Sequence, residues 1–391
     1  MKSKGIVSWI FPLLATGVIA VGRVYDERLF YFGMNISLII SSCFIIYSLL
    51  FLASIKNVRL FPTKRIFYLF LSILIVSPLF WGFYNVTEYG LYKYINFIFL
   101  IVPLLIVLSE KFSYSDVLRL FQVLFWFITF LSIAGLSIVS TTSGRLSAFG
   151  GGPIVFSRWM LIGVTILLFL KLFKSNKIKW IFIFLFFILS LASGSRGPVF
   201  AFLFTISVYL LLNFQRVIVK LIGGVVLVLT VFLLVGNELN FNDFGKADRL
   251  ATKDSTSKNV RLKFAKRSLD LIVAYPFGVG IGNWQEYCNK TKPYHLLKHQ
   301  YPHNLVLEVF AELGLIGGVL LLLVILKSLY LTYFRMTTIP NANGIYSLLF
   351  YLQIFLFINS CFSGNLNDAR FLFVVIAISL TKEPLIKENN A

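Results

Sequence analysis

Tyr301-Pro-His-Asn-Leu-Val-Leu-Glu-Val-Phe-Ala-Glu-Leu-Gly-Leu-Ile-Gly-Gly318 runs directly into Val319-Leu-Leu-Leu-Leu-Val-Ile-Leu326. A bilayer-crossing helix takes about 20 mainly apolar residues, so 304–326 reads as one span, with Pro302 placed where helices start. Upstream lies Arg261-Leu-Lys-Phe-Ala-Lys-Arg-Ser-Leu-Asp-Leu-Ile-Val-Ala-Tyr-Pro-Phe-Gly-Val-Gly-Ile-Gly-Asn-Trp284. A basic segment, a Pro/Gly turn and a His-Asn pair at the mouth of an apolar helix therefore follow one another. In a chain that is mostly hydrocarbon, chemistry belongs here.

Working outward, 58% of the 391 residues are hydrophobic and 13% charged. Water-soluble domains carry about 25% charged residues, so the composition is that of an all-α polytopic membrane protein. The net charge of +20 is scattered over short connectors between apolar runs, which is the positive-inside pattern and not a nucleic-acid patch. Cys43, Cys288 and Cys361 form no CxxC spacing and no disulfide framework. The first apolar run resembles a signal sequence without an A-x-A-like cleavage site and reads as an uncleaved helix.

The span rule predicts about twelve transmembrane helices, near 5–22, 31–53, 66–84, 92–109, 120–139, 154–173, 180–195, 198–213, 218–236, 304–326, 345–362 and 371–381. With the N-terminus inside, the inner connectors collect Lys2, Lys4, Lys56, Arg59, Lys64, Arg65, Lys111 and Arg119. Lys171 to Lys179, Arg216, Lys220, Lys327, Arg335, Lys382 and Lys387 continue the series. The outer connectors hold only Arg23, Arg28, Arg145, Arg196 and Arg370, with Lys93 close by. One long outer loop, 237–303, contains a helix over 258–274. Leu262, Ala265, Leu269 and Ile272 supply its apolar stripe and predict that it lies on the outer membrane surface. This topology brings Arg145, Arg158, Arg196, Arg261, His303 and Arg370 to the same side.

Several of these residues have a bland reading beside a functional one. Arg196, in Ser193-Gly-Ser-Arg-Gly-Pro, either anchors a hairpin to lipid phosphates or opens an anion-binding turn where Gly194 and Gly197 let backbone approach a ligand. Arg145-Leu-Ser-Ala-Phe-Gly-Gly-Gly-Pro-Ile-Val-Phe-Ser-Arg158 offers a second glycine cradle. Arg158 lies about a turn inside an apolar helix, where a cation is paired, functional or snorkelling. Lys263, Lys266 and Arg267 fit either a headgroup face or an anion site, and Arg261 is the best substrate contact among them. Asp368 and Arg370 either pair or add one more cation. His295, His299 and His303 recur at four-residue spacing, but Pro302 interrupts any helix through them and no carboxylate supports a metal site. His303 alone is placed where a base of near-neutral pKa is useful.

From Arg261 to Gly318 the sequence resembles the O-antigen polymerase and ligase superfamily. His303, Asn304, Gly314 and Gly317 meet its His-Asn-(nine)-Gly-(two)-Gly pattern. Pro276, Gly278 and Gly280 meet its Pro/Gly turn, and Gly194 to Gly197 its Gly-Ser-Arg-Gly turn. The resemblance covers roughly 140–330, giving an organisation of 1–139 as N-terminal spans, 140–330 as the core with loop 237–303, and 331–391 as C-terminal spans. It implies a metal-independent, cofactor-free glycosyltransferase of the membrane-embedded C type in the bacterial inner membrane, with its site facing the periplasm. The donor would be an undecaprenyl-pyrophosphate-linked oligosaccharide, with membrane lipids and a chain-length regulator protein as further partners and no nucleic acid. His303, Arg196 and Arg261 would be catalytic: the arginines hold pyrophosphate and His303 is the base. Arg145, Arg158, Arg267, Asn304, Gly278, Gly280 and Arg370 would bind substrate.

Within that superfamily the segment from Arg145 to Arg158 resembles repeat-unit polymerases more than ligases, whereas a single long outer loop is also the ligase arrangement. A lipid-linked sugar transporter is the reading from another class. It fits less well, because transporters place polar sites near the midplane and often carry repeats.

Overall fold

The computed structural model describes residues 7–31, 33–54, 63–82, 87–110, 113–137, 145–149, 151–213, 218–220, 223–226, 255–291, 301–339 and 344–381. Their helices are α1 (Val7–Val21), α2 (Ile36–Ser54), α3 (Arg65–Val76), α4 (Glu88–Asn96), α5 (Val102–Glu110), α6 (Tyr114–Ser137) and α7 (Gly152–Phe169). There follow α8 (Asn176–Ala192), α9 (Arg196–Asn213), α10 (Ser255–Ala274), α11 (Trp284–Thr291), α12 (Leu305–Thr338), α13 (Ile345–Ser363) and α14 (Arg370–Ser379). A π turn, Phe97–Ile101, joins α4 to α5, and a two-stranded hairpin pairs Phe30–Tyr31 with Met34–Asn35.

Seven stretches among the described residues are long and apolar enough to cross a membrane: Ile36–Ser54, Glu88–Ser109, Tyr114–Leu136, Gly152–Phe169, Arg196–Asn213, Leu305–Thr338 and Ile345–Ser363. Three shorter apolar helices accompany them, Trp9–Val21, Arg65–Leu79 and Arg370–Ser379. The expected span 218–236 lies mostly outside the described residues. The mostly helical chain fits an all-α polytopic membrane protein. Exposed Leu49, Leu50, Ile181 and Phe184 carry that reading further, because such residues on one helix side are stable in hydrocarbon and costly in water.

The chain divides into two compact units: Met1–Leu120 with Asn259–Tyr346 and Ser360–Ala391, and Phe121–Lys258 with Ser347–Asn359. In the first, α14 is short yet buried from Phe371 to Ser379, and Phe373 stacks on Phe70 and meets Phe97 edge-on. In the second, α7 is buried from Phe156 to Leu167. Gly163 lets α8 approach it, since a Cβ there would lie 2.8 Å from the Phe186 ring. Phe125, Phe173, Phe182 and Phe186 close that core with ring centroids 5.4 to 6.0 Å apart.

Two expectations change. The span expected at 304–326 is α12, which is longer and broken: Gly314 has φ 72° and ψ −175° inside it. Residues 315–338 alone rise about 36 Å, enough for a hydrocarbon core of about 30 Å, so 305–313 is a separate half-helix. The helix expected over 258–274 forms as α10, but its packed side is Phe264, Ser268 and Leu271, not the Leu262–Ala265–Leu269–Ile272 stripe. Phe264 and Leu271 join Val279, Trp284, Tyr287, Cys288 and Ala311 in one apolar cluster, with Ile272 at its edge. Leu262 and Leu269 stay exposed. The helix has two apolar sides, and the one that bears the Phe264 ring took the protein core.

Candidate active site

The Pro/Gly turn and the break in α12 are one construction. Breaking a helix at Gly314 frees carbonyls that would otherwise be unsatisfied in an apolar setting. The Val279 N–H donates to Ala311 O at 3.0 Å and the Gly280 N–H to Glu312 O at 2.9 Å, while the Leu315 N–H donates to Pro276 O at 2.9 Å. Gly278 and Gly280 have φ 86° and 87°, which L side chains rarely adopt. A Cβ on Gly278 would sit 2.5 Å from Glu312 O, and one on Gly314 would sit 2.6 Å from Phe277 O. Buried Asn283 ties the turn to α4: its amide donates to Val279 O at 2.8 Å and its Oδ1 accepts from the Thr87 hydroxyl at 2.9 Å. Val279 and Gly280 thus hold the half-helix by backbone, and Gly278 lets the two chains come this close.

His303 stands at the mouth of that half-helix. Its φ of 58° is the left-handed region, a strained choice for a residue with a side chain and one that occurs at functional sites. Asn304 caps the helix, its side chain accepting from the Leu307 N–H at 3.1 Å. The imidazole lies nearly parallel to the Phe264 ring of α10, 6.2 Å between centroids, and 4.1 Å from the Tyr301 ring. Burial, and next the Arg261 guanidinium, push the His303 pKa below its ordinary value, with the Asp368 carboxylate opposing them. The imidazole is therefore kept neutral, the form that accepts a proton. Arg261 is exposed on α10. Arg267 is half-buried, its guanidinium 5.8 Å from the Phe264 ring centroid.

The second arginine turn belongs to the other unit. Arg145 Nε donates to Ser193 O at 2.9 Å, and its Nη2 donates to Gly194 O at 3.0 Å and to the Ser195 hydroxyl at 3.1 Å. Arg145 thus satisfies the carbonyls at the end of α8 and braces the turn from which Arg196 starts α9. Gly194, φ 64°, gives it room: a Cβ there would be 3.3 Å from Arg145 Nε. Arg196 is half-buried at the helix N-terminus, a place suited to anions. Arg158 is buried on α7.

Arg370 does for α1 what Arg145 does for α8. Its Nε donates to Ile19 O at 2.6 Å and its Nη2 to Ala20 O at 3.0 Å, while Nη1 donates to Asn367 O at 3.0 Å. Asp368 lies 3.8 Å away, the local pairing the sequence suggested. Among the residues expected to bind substrate, Arg145 and Arg370 spend their guanidinium groups on helix-end carbonyls. His303 and Arg267 lie beside the Phe264 ring, Arg261 is close enough to His303 to act on its charge, and Asn304 caps the helix next to it. His295 and His299 lie outside the described residues.

A buried ionic cluster escaped the sequence reading. Lys93 Nζ donates to Glu308 Oε1 and, at 2.6 Å, to Glu312 Oε2. The three residues are 2%, 0% and 4% exposed. Glu308 Oε2 also accepts from the Leu366 N–H at 2.9 Å. The signal was available: two glutamates four apart inside an apolar span are expensive and need a cation. Lys93, at the start of the span expected over 92–109, reads only as lying close to the outer connectors.

Residues 181–322 match the family model described as O-antigen ligase. The matched segment is about a third of the chain and contains Arg196, Arg261, the glycine turn, His303 and Asn304. It agrees with the superfamily resemblance carried by those motifs, whose members are glycosyltransferase-like enzymes acting as ligases or polymerases. No curated protein matches the chain.

Proposed function

We propose that this protein is a metal-independent membrane glycosyltransferase of the C type, with about twelve spans, that polymerises surface-polysaccharide repeat units. Its donor is an undecaprenyl-pyrophosphate-linked oligosaccharide, used on the periplasmic face of the bacterial inner membrane. The observation that carries the reading is His303: a left-handed backbone position at the mouth of a half-helix, with an imidazole whose neutral form is favoured by burial and by Arg261, inside the segment that matches the family model.

In the proposed reaction His303 takes the proton of the acceptor hydroxyl as its oxygen attacks the anomeric carbon of the donor sugar. The bond from that carbon to the pyrophosphate oxygen breaks, and undecaprenyl pyrophosphate leaves with the electron pair. Arg196 and Arg261 hold the pyrophosphate and stabilise its developing charge, work that fixed cations perform well where water is excluded. Arg158, Arg267 and Asn304 support the bound glycan, whereas Arg145 braces the turn before Arg196 and Arg370 the end of α1. Proton acceptance by a positioned base contributes about 10²- to 10⁴-fold.

The second reading is a ligase that moves finished glycan to lipid A–core. The description of the matching family and the single long outer loop favour it. A deletion strain separates the two through its surface-glycan ladder and its lipid-linked pool. One repeat unit on core without a ladder is the expected, polymerase result. Bare core with long glycan still on its lipid carrier assigns the ligase, and normal patterns in both assays reject the enzyme for this pathway.

A further inference from the structure

The half-helix 305–313 is fastened on two sides. On one, the glycine turn donates two backbone N–H groups to it, to Ala311 O and Glu312 O. On the other, Lys93 from α4 reaches Glu308 and Glu312, and the turn before α14 donates the Leu366 N–H to Glu308. Asn367, in the same turn, donates to the Lys93 carbonyl at 3.4 Å. Glu308 lies five residues after His303, in the first turn of the half-helix. Backbone bonds at Ala311 and Glu312 fix the far end of the half-helix. At the near end, which leads to the imidazole, the contacts of Glu308 with Lys93 and with the Leu366 N–H are a second fastening.

We infer that Lys93, held between Glu308 and Glu312, is a positioning residue that sets the near end of the half-helix and so places His303 against Phe264 and Arg261. A buried ion pair is a weak source of stability, because desolvation offsets its attraction. Its directional use is different: two carboxylates one turn apart can satisfy one ammonium in a single rotational setting of the helix. The Leu366 N–H on the second oxygen of Glu308 removes the remaining freedom of that carboxylate. The inference rests on the proposed role of His303 as base and adds residues outside the arginine and histidine set.

The test uses the full chain in lipid nanodiscs, with labelled histidine in a His295→Gln/His299→Gln background so that the His303 ring is read alone. The groups facing that ring are Arg261 from α10, Asp368 from the turn before α14, and the adjacent Tyr301. In Glu308→Gln the His303 titration is expected to return toward the ordinary imidazole range, as the ring leaves Phe264 and Arg261. Transfer from the lipid-linked donor should lose roughly 10- to 100-fold in kcat, since small misplacements of a reacting group cost that much, with KM little changed. The variant Lys93→Met/Glu308→Gln/Glu312→Gln carries no charge in this cluster and serves as the folding control. Altered titration and low kcat in that folded protein support positioning. Wild-type titration and kcat in either variant would overturn it. If the unmodified protein transfers no glycan, the functional reading fails, whereas the His303 titration still decides the clamp.

Discussion

The turn from which Arg196 starts α9 and the turn that holds the half-helix after His303 are built by different means. The turn at Ser193–Arg196 is closed by one side chain, Arg145, reaching three oxygens. The turn at Pro276–Gly282 is closed by backbone to backbone against the break at Gly314, and the ionic cluster at Lys93 holds the half-helix beyond it. The first tolerates change at the cost of a few hydrogen bonds. The second has almost no slack, because its glycines meet backbone atoms that cannot step aside. Rigidity is thus concentrated under His303, where the proposed base would have to be held to a fraction of an ångström.

The largest expected effect comes from Gly278→Ala or Gly314→Ala, where a Cβ collides with facing backbone at a left-handed φ. Each should cost more than about 3 kcal/mol, read as loss of folded, monodisperse protein in detergent. Survival of either with an unchanged melting temperature would break the comparison. Next is Lys93→Met, which strands two buried carboxylates and should cost about 3–5 kcal/mol in thermal unfolding. The charge-free triple variant should recover most of that loss.

Arg145→Gln should be milder, about 1–3 kcal/mol, because the freed carbonyls lie at a helix end that water can reach in part. Its glycan transfer should fall together with turn order while His303 titrates normally. Smallest is Asn304→Ala, about 1 kcal/mol from the lost cap, measured as a shift in melting temperature.

The pH profile sharpens the same contrast. Folding lowers the His303 pKa, so the neutral ring contributes stability at neutral pH, and that contribution is lost as the pH falls through the imidazole range. Transfer should fall over the same acid limb. Arg261→Gln removes a repelling cation and should move that limb to higher pH, and Asp368→Asn removes the opposing carboxylate and should move it lower. A limb unmoved by both substitutions would mean that another group is the base.

Much of this was legible in the sequence because hydrocarbon leaves a strong record. The apolar runs, the connectors rich in lysine and arginine, and the helix start at Pro302-His303-Asn304 all follow from transfer energetics and capping. The break at Gly314 was not legible, since Leu-Gly-Leu inside an apolar run reads as continuous helix until the Gly278 backbone is known to lie against it. The buried side of α10 was misassigned because Leu262 and Leu269 and, on the opposite side, Phe264 and Leu271 give two periodic stripes, and only packing on Trp284 chooses. Arg145 and Arg370 read as ligand cations because a sequence does not show the helix-end carbonyls that come to meet them. Lys93 shows no pairing in the sequence for the same reason: its partners are more than 200 residues away, at separations of 215 and 219.

The most direct measurement is glycan transfer by the purified full chain in lipid vesicles, from a polyprenyl-pyrophosphate-linked donor, with His303 replaced by Ala and by Asn. Both variants should fold at normal abundance and lose at least about 10²-fold in transfer at neutral pH. Transfer at the unmodified rate by either folded variant would contradict His303 as the base.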